Sequence, residues 1–272
     1  MSLITSENKE HQFRWTRTST AILSVFWVVL FLIGYVWWPL LEEYISQFNP
    51  EISIWQQIDW LLIGNLLVMS VLITFNAEVK HDLPFALIAF CGGLFIETWG
   101  TRSGLWTYYT FEAPPLWIIP AWPIAALSVN RLYTFLLKWT SKIPDSYFQW
   151  AYWPTFGTFS LLLIRFIWTA LGHSLTIISL IICFALIFTG KDKRSALMIL
   201  FVGSALGYFL ERWGTTRLCW TYYTGGMPPF FTVLAHGMAS IAIWRVFMIY
   251  ETQFLLIENY FHLKKPENNF DN

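Results

Sequence analysis

The chain has 272 residues, of which 56% are hydrophobic, 19% aromatic and 12% charged, and its formal net charge is zero. A soluble domain carries about twice that charged share, so the composition excludes a water-soluble core and points to an integral membrane protein. Low polarity excludes disorder, charge neutrality argues against nucleic acid as a partner, and three cysteines without a CxxC exclude a disulfide framework.

A bilayer core asks for about 20 apolar residues per helix. Eight segments meet that demand approximately, at 20–41, 60–77, 83–99, 117–138, 149–170, 174–190, 196–212 and 230–250. The expected fold is therefore all-α and polytopic, with eight transmembrane helices arranged as two four-helix repeats of the same orientation. The corresponding domain division is an N-terminal segment 1–19, a first repeat 20–139, a second repeat 140–257 and a tail 258–272. With an even number of spans, Lys9, Arg14, Arg17, Lys80, Lys138, Lys142, Lys191, Lys193, Arg194, Lys264 and Lys265 share one side, and only Arg102, Arg212 and Arg217 lie on the other. Basic residues gather in the cytoplasm, so both termini are expected there, in an inner (plasma) membrane. Arg131 and Arg245, near the inner ends of their spans, read as side chains that snorkel to the interface.

The division into halves comes from a duplication. Residues 93–115 (GLFIETWGTRSGLWTYYTFEAPP) and 207–229 (GYFLERWGTTRLCWTYYTGGMPP) align at a constant offset of 114, with thirteen of the 23 positions identical. Each copy begins inside a span and leaves through its outer end as a loop closed by Pro-Pro. Trp and Tyr collect at membrane interfaces in any case, so an aromatic belt would account for the composition. It would not account for the shared order E-x-W-G-T…W-T-Y-Y-T, which favours a defined loop structure. If the halves are related by a pseudo-two-fold axis, a site between them would draw matching residues from both.

Ionisable residues within spans are costly and so are functional candidates. At 1.5 Å per residue, Glu97 and Glu211 stand roughly 21 Å up a core about 30 Å thick. Arg165, His236 and Asn65 reach a similar layer. Two buried glutamates near one arginine would split their proton affinities, one acting as acid and the other as base. The same three groups could equally form a structural Glu–Arg–Glu lock between the halves. Catalytic candidates are thus Glu97, Glu211, Arg165 and His236. Substrate-binding candidates are Asn65, Trp99, Trp106, Tyr108, Trp213, Trp220 and Tyr222. No paired-histidine motif, nucleotide-binding glycine loop or Asp-rich diphosphate motif is present, so neither metal nor cofactor is expected.

The run Glu97-x-x-Gly100-x-x-x-Gly104-x-Trp106-x-Tyr108, followed by Pro115 and Pro120, resembles the motif of the bacterial and archaeal carotenoid hydratases, and GxWxY…P is similar to that of the small-domain lycopene cyclases. Leu218 replaces the motif's second glycine in the later copy, and Pro120-Ala121-Trp122-Pro123 stands where the cyclases carry an acidic pair. The resemblance implies an isoprenoid or pigment partner and proton-initiated hydration or cyclisation of a C=C bond, with Glu97 and Glu211 as acid–base residues. Two other functions fit the same spans: a non-catalytic subunit of a larger membrane complex that binds lipid or pigment, and a transporter.

Overall fold

A computed structural model of the chain describes residues 14–263, with side chains through residue 256. Lys9, Lys264 and Lys265, and the segments 1–13 and 264–272, lie outside the described residues.

The order of elements is α1 (Arg17–Val36), α2 (Trp38–Ser46), α3 (Ile54–Gln57), α4 (Trp60–Thr74), α5 (Val79–Arg102), β1 (Trp106–Tyr108), α6 (Ala121–Trp139), α7 (Asp145–Ile167), α8 (Ser174–Thr189), α9 (Lys193–Thr216), β2 (Trp220–Tyr222) and α10 (Phe230–Leu263). Local chemistry fixes several starts. Thr16 and Ser19 form a reciprocal capping box at α1. Asp59 accepts from the Leu62 amide at α4, and Asp192 from the Ser195 amide at α9.

Among the described residues, four helices are long and apolar enough to cross a bilayer: α1, α5, α9 and Phe230–Leu256 of α10. This corrects the expected eight spans in two four-helix repeats. Counting apolar residues runs past the real helix ends. The segment 60–77 is helical only to Thr74, in 15 residues, and 174–190 only to Thr189, in 16, so neither reaches 30 Å at 1.5 Å per residue. In 117–138 the helix begins only at Ala121. α7 has the length but carries Asp145, Gln149 and Pro154 among its aromatics.

The spans have the surface that lipid requires. On α1 only Ser19, Phe26, Val29 and Ile33 are buried, while Val28 and Phe31 are exposed. A continuous apolar face of this kind is tolerated against hydrocarbon and not against water. The chain is therefore membrane-embedded in character.

One pairing organises one end of the bundle. β1 and β2 are antiparallel neighbours, in the register Trp106↔Tyr222, Thr107↔Thr221 and Tyr108↔Trp220. Thr107 and Thr221 are equivalent positions of the duplicated motif, so the motif pairs with its own copy about a local two-fold axis. Residues expected as two separate loops form one ribbon. Tyr109 N–H donates to Cys219 O and Tyr223 N–H to Leu105 O, extending the ladder by the same contact in both directions.

Candidate functional site

The order W-T-Y-Y now has a physical reading. Residues i and i+2 of a strand share a face, and directly paired residues face the same way. Trp106, Tyr108, Trp220 and Tyr222 thus stand together on one face of the ribbon, and Thr107 and Thr221 are exposed on the other. Trp106 and Tyr222 lie 6.0 Å apart between ring centroids, and Tyr108 and Trp220 5.8 Å. The second tyrosine of each pair is a tether: Tyr109 donates to Val36 O at the end of α1, and Tyr223 to Phe166 O near the end of α7.

The four aromatic side chains supply four of the six hydrogen-bond partners of the two buried glutamates. Glu97, 4% exposed, accepts from Trp106 Nε1 at 3.0 Å, Tyr108 OH at 3.0 Å and Trp122 Nε1 at 3.1 Å. Glu211, 3% exposed, accepts from Trp220 Nε1 at 3.0 Å and Tyr222 OH at 2.7 Å, and His236 Nε2 lies 2.7 Å from its Oε1. Burial, reinforced by the neighbouring carboxylate, pushes the Tyr108 and Tyr222 phenols well above their ordinary range. Both therefore stay protonated and remain donors.

Glycines make room for these bonds. A Cβ on Gly100 would sit 1.8 Å from the Trp106 ring, and one on Gly214 2.0 Å from the Trp220 ring. About two turns earlier, a Cβ on Gly93 would meet Trp122 at 2.2 Å, and one on Gly207 would meet His236 at 2.5 Å. Each repeated glycine is the seat of an aromatic or imidazole ring that reaches a glutamate. Leu218 takes the same left-handed backbone as Gly104, with φ of 55° against 67°, so the substitution in the second copy leaves the turn intact.

Both carboxylates line a single cavity of about 890 Å³, near the upper end of the range for small-molecule sites. Its wall is otherwise mostly apolar. Along α10 it is lined by Phe231, Ala235, Ala239, Ala242 and Val246, a stretch of 16 residues rising about 22 Å. The wall also follows the duplication: Leu66 and Leu180, Ile96 and Leu210, Ala121 and Ala235, and Ala125 and Ala239 are lining pairs at the 114 offset. The cavity is thus long, largely apolar and polar chiefly where the glutamates stand.

Most sequence-derived candidates meet here. Asn65 lines the cavity and donates from Nδ2 to Phe209 O at 3.3 Å, tying α4 to α9. Trp99 donates to Thr176 Oγ1 at 3.1 Å and Trp213 to Asp59 Oδ2 at 2.9 Å. Arg165 does not join them. The buried face of α7 is Phe159, Leu163, Phe166 and Ile167, and Arg165 projects from the exposed face. The carboxylates are held by neutral aromatic donors and one histidine, and a Glu–Arg–Glu cluster does not form.

Three groups escaped the sequence reading. Trp122 is a direct partner of Glu97; the 114 offset, which places it on His236, was the signal. Arg131 does not snorkel: it pairs with Asp82, whose side chain is 3% exposed and which His81 Nδ1 also contacts at 3.0 Å. Arg245 likewise turns inward, donating to Leu186 O. Cys219 is buried, and burial raises its thiol to about 12, which leaves it inert as a nucleophile. Among the described residues no three His, Cys, Asp or Glu side chains gather as a metal-binding set.

No protein-family model matches the chain, no curated protein matches it, and no solved structure matches its fold.

Proposed function

We propose that this protein is an integral membrane enzyme that encloses an elongated apolar molecule and performs proton-driven chemistry on one of its C=C bonds. The observation that carries this reading is the cavity of about 890 Å³, apolar over most of its wall and lined by two buried carboxylates. A carboxyl group in such a site can exchange a proton with a bound alkene. The indole faces of Trp99, Trp106, Trp213 and Trp220, which also line the cavity, offer π density to the resulting cation. The likeness of the motif to carotenoid hydratases and small-domain lycopene cyclases supports an isoprenoid as the substrate class, and hydration or cyclisation as the reaction. The distribution of basic residues favours cytoplasmic termini, and the motif's likeness to bacterial and archaeal hydratases favours a plasma membrane of that kind.

A second reading, a non-catalytic subunit that binds lipid or pigment, is favoured by one observation. Each glutamate already holds three partners, as a purely structural fastener would.

The test is the apolar content of the protein purified in mild detergent. Mass spectrometry of the organic extract is expected to find a non-phospholipid polyene or prenyl compound approaching one per chain. Ala239→Trp, which fills the cavity from α10, is expected to remove it while the protein stays folded. Extracts containing phospholipid alone, identical for both proteins, would contradict the enzymatic reading.

A further inference from the structure

The two copies of the site differ in one donor. Trp106 and Trp220, and Tyr108 and Tyr222, are identical pairs. The third partner is Trp122 in the first copy and His236 in the second, at the same offset of 114 and over the equivalent glycine seats Gly93 and Gly207. The two rings stack on each other, with centroids 6.0 Å apart and planes inclined by 17°.

An indole N–H can only donate, whereas an imidazole nitrogen donates or accepts according to its proton. Glu97 therefore faces two indoles and a phenol, a set that holds the carboxylate but offers no base to exchange a proton with. Glu211 has an imidazole nitrogen, able to donate or to accept according to its proton, 2.7 Å from Oε1. The proton between Glu211 and His236 has two homes, and both side chains line the cavity.

We infer that the duplicated site has divided its labour: Glu211 and His236 form the proton-transferring pair, and Glu97 with Trp122 is the positioning half that fixes the ribbon and the ring beneath His236. This rests on the proposed function and sharpens it. The Glu211 acid gives its proton to the less substituted (CH) carbon of the terminal alkene, so that the cation forms on the dimethyl-bearing carbon. The π pair becomes the new C–H bond, leaving a cation on the adjacent carbon and a carboxylate at Glu211. A water oxygen then bonds to the cation, and the water's surplus proton returns through His236 to Glu211. The net change is addition of one water, with the acid restored. Where no water is present, the pair instead takes a proton from a carbon beside the cation, and the product is an isomer of the substrate.

Exchanging the two seats tests this. The probe is lycopene, an acyclic polyene with terminal alkenes, supplied to the purified protein in nanodiscs made up in D₂O. Wild type is expected to form product carrying solvent deuterium. Glu211→Gln and His236→Trp should each lower the rate at least 100-fold, the scale of lost general acid–base catalysis. The double exchange Trp122→His/His236→Trp rebuilds the pair on Glu97 and should recover at least tenfold over His236→Trp alone. Glu97→Gln in the wild-type background should cost only several-fold, in step with lost folded protein.

A second readout needs no turnover. The ¹⁵N resonance of His236, assigned by its loss in His236→Trp, should move far more in Glu211→Gln, which removes its proton partner, than in Glu97→Gln, which disturbs only the Trp122 ring stacked on it. Equal loss of rate in folded Glu97→Gln and Glu211→Gln, or equal shifts of the His236 signal, would overturn the division of labour and leave the proposed function standing. No product from wild type, with the His236 signal behaving as expected, would overturn the assigned reaction and leave the proton-sharing pair standing.

Discussion

Gly100→Ala and Gly214→Ala are each expected to destabilise the protein more than any other single methyl addition in the duplicated motif. The added Cβ would lie 1.8 Å from the Trp106 ring in the first case and 2.0 Å from the Trp220 ring in the second, well inside contact distance. The ring atoms belong to a rigid indole wedged between helix and ribbon, so relief requires moving the indole itself. Overpacking of this kind costs about 1–3 kcal/mol. Moving the indole also breaks its bond to Glu97 or Glu211, and a buried acceptor left without its donor adds about 1–3 kcal/mol. Thermal unfolding in detergent should show the combined loss, about 2–6 kcal/mol, for either variant. A double variant Gly100→Ala/Trp106→Phe removes the donor anyway, so its loss should fall short of the sum of the singles. Strict additivity would mean that glycine and indole are not coupled.

The second large effect lies at the opposite end of α5. Asp82 accepts from the Glu78 amide at 2.9 Å, contacts His81, and pairs with Arg131 of α6. The Asp82 and Arg131 side chains are 3% and 12% exposed, so removing either leaves the other charge buried without its counterion. Such a break costs about 3–5 kcal/mol. Arg131→Met and Asp82→Leu are each expected to lose that much. The pair Asp82→Leu/Arg131→Met should lose far less, since replacing a buried ion pair by apolar groups is often near neutral. Chemical denaturation of the three variants measures the coupling, and a double variant as unstable as the singles together would show that the pair contributes nothing as a pair.

Much of the site was legible in the sequence, and the reason is order rather than composition. An aromatic belt needs only Trp and Tyr in bulk, whereas this motif keeps Trp and Tyr at i and i+2 in both copies. That spacing puts two donors on one face of a strand, aimed at one glutamate. The repeated glycines were equally visible but had no meaning until the rings that fill their places were known. Trp122 went unrecognised because tryptophan and histidine look unrelated on the page; only the 114 offset shows that they occupy one position. Depth along a helix does not specify direction around it, and Arg165 is where the difference matters. It shares the height of the glutamates but stands on the far side of α7 from Leu163 and Phe166. The span count failed for a related reason. Apolar content in 60–77 continues three residues beyond the last helical turn, because composition does not record where a backbone hydrogen-bond ladder stops, and 174–190, at about 1.5 Å per residue, is short of a span even when helical to its end.

The pairing of β1 with β2 is the central claim, because it brings two distant copies of the motif together and sets both glutamates against one cavity. Thr107 and Thr221 are directly opposite and exposed on the far side of the ribbon. Paired strand residues lie about 4.5–5.5 Å apart at Cα, inside the range a disulfide spans. With the three native cysteines replaced by alanine, Thr107→Cys/Thr221→Cys should close to a disulfide almost completely under mild oxidation. The linked peptide is then identified by mass spectrometry. A control that pairs Thr107→Cys with Glu43→Cys should close far less. Closure of the 107–221 pair no greater than that of the control would contradict the ribbon, and with it the shared site.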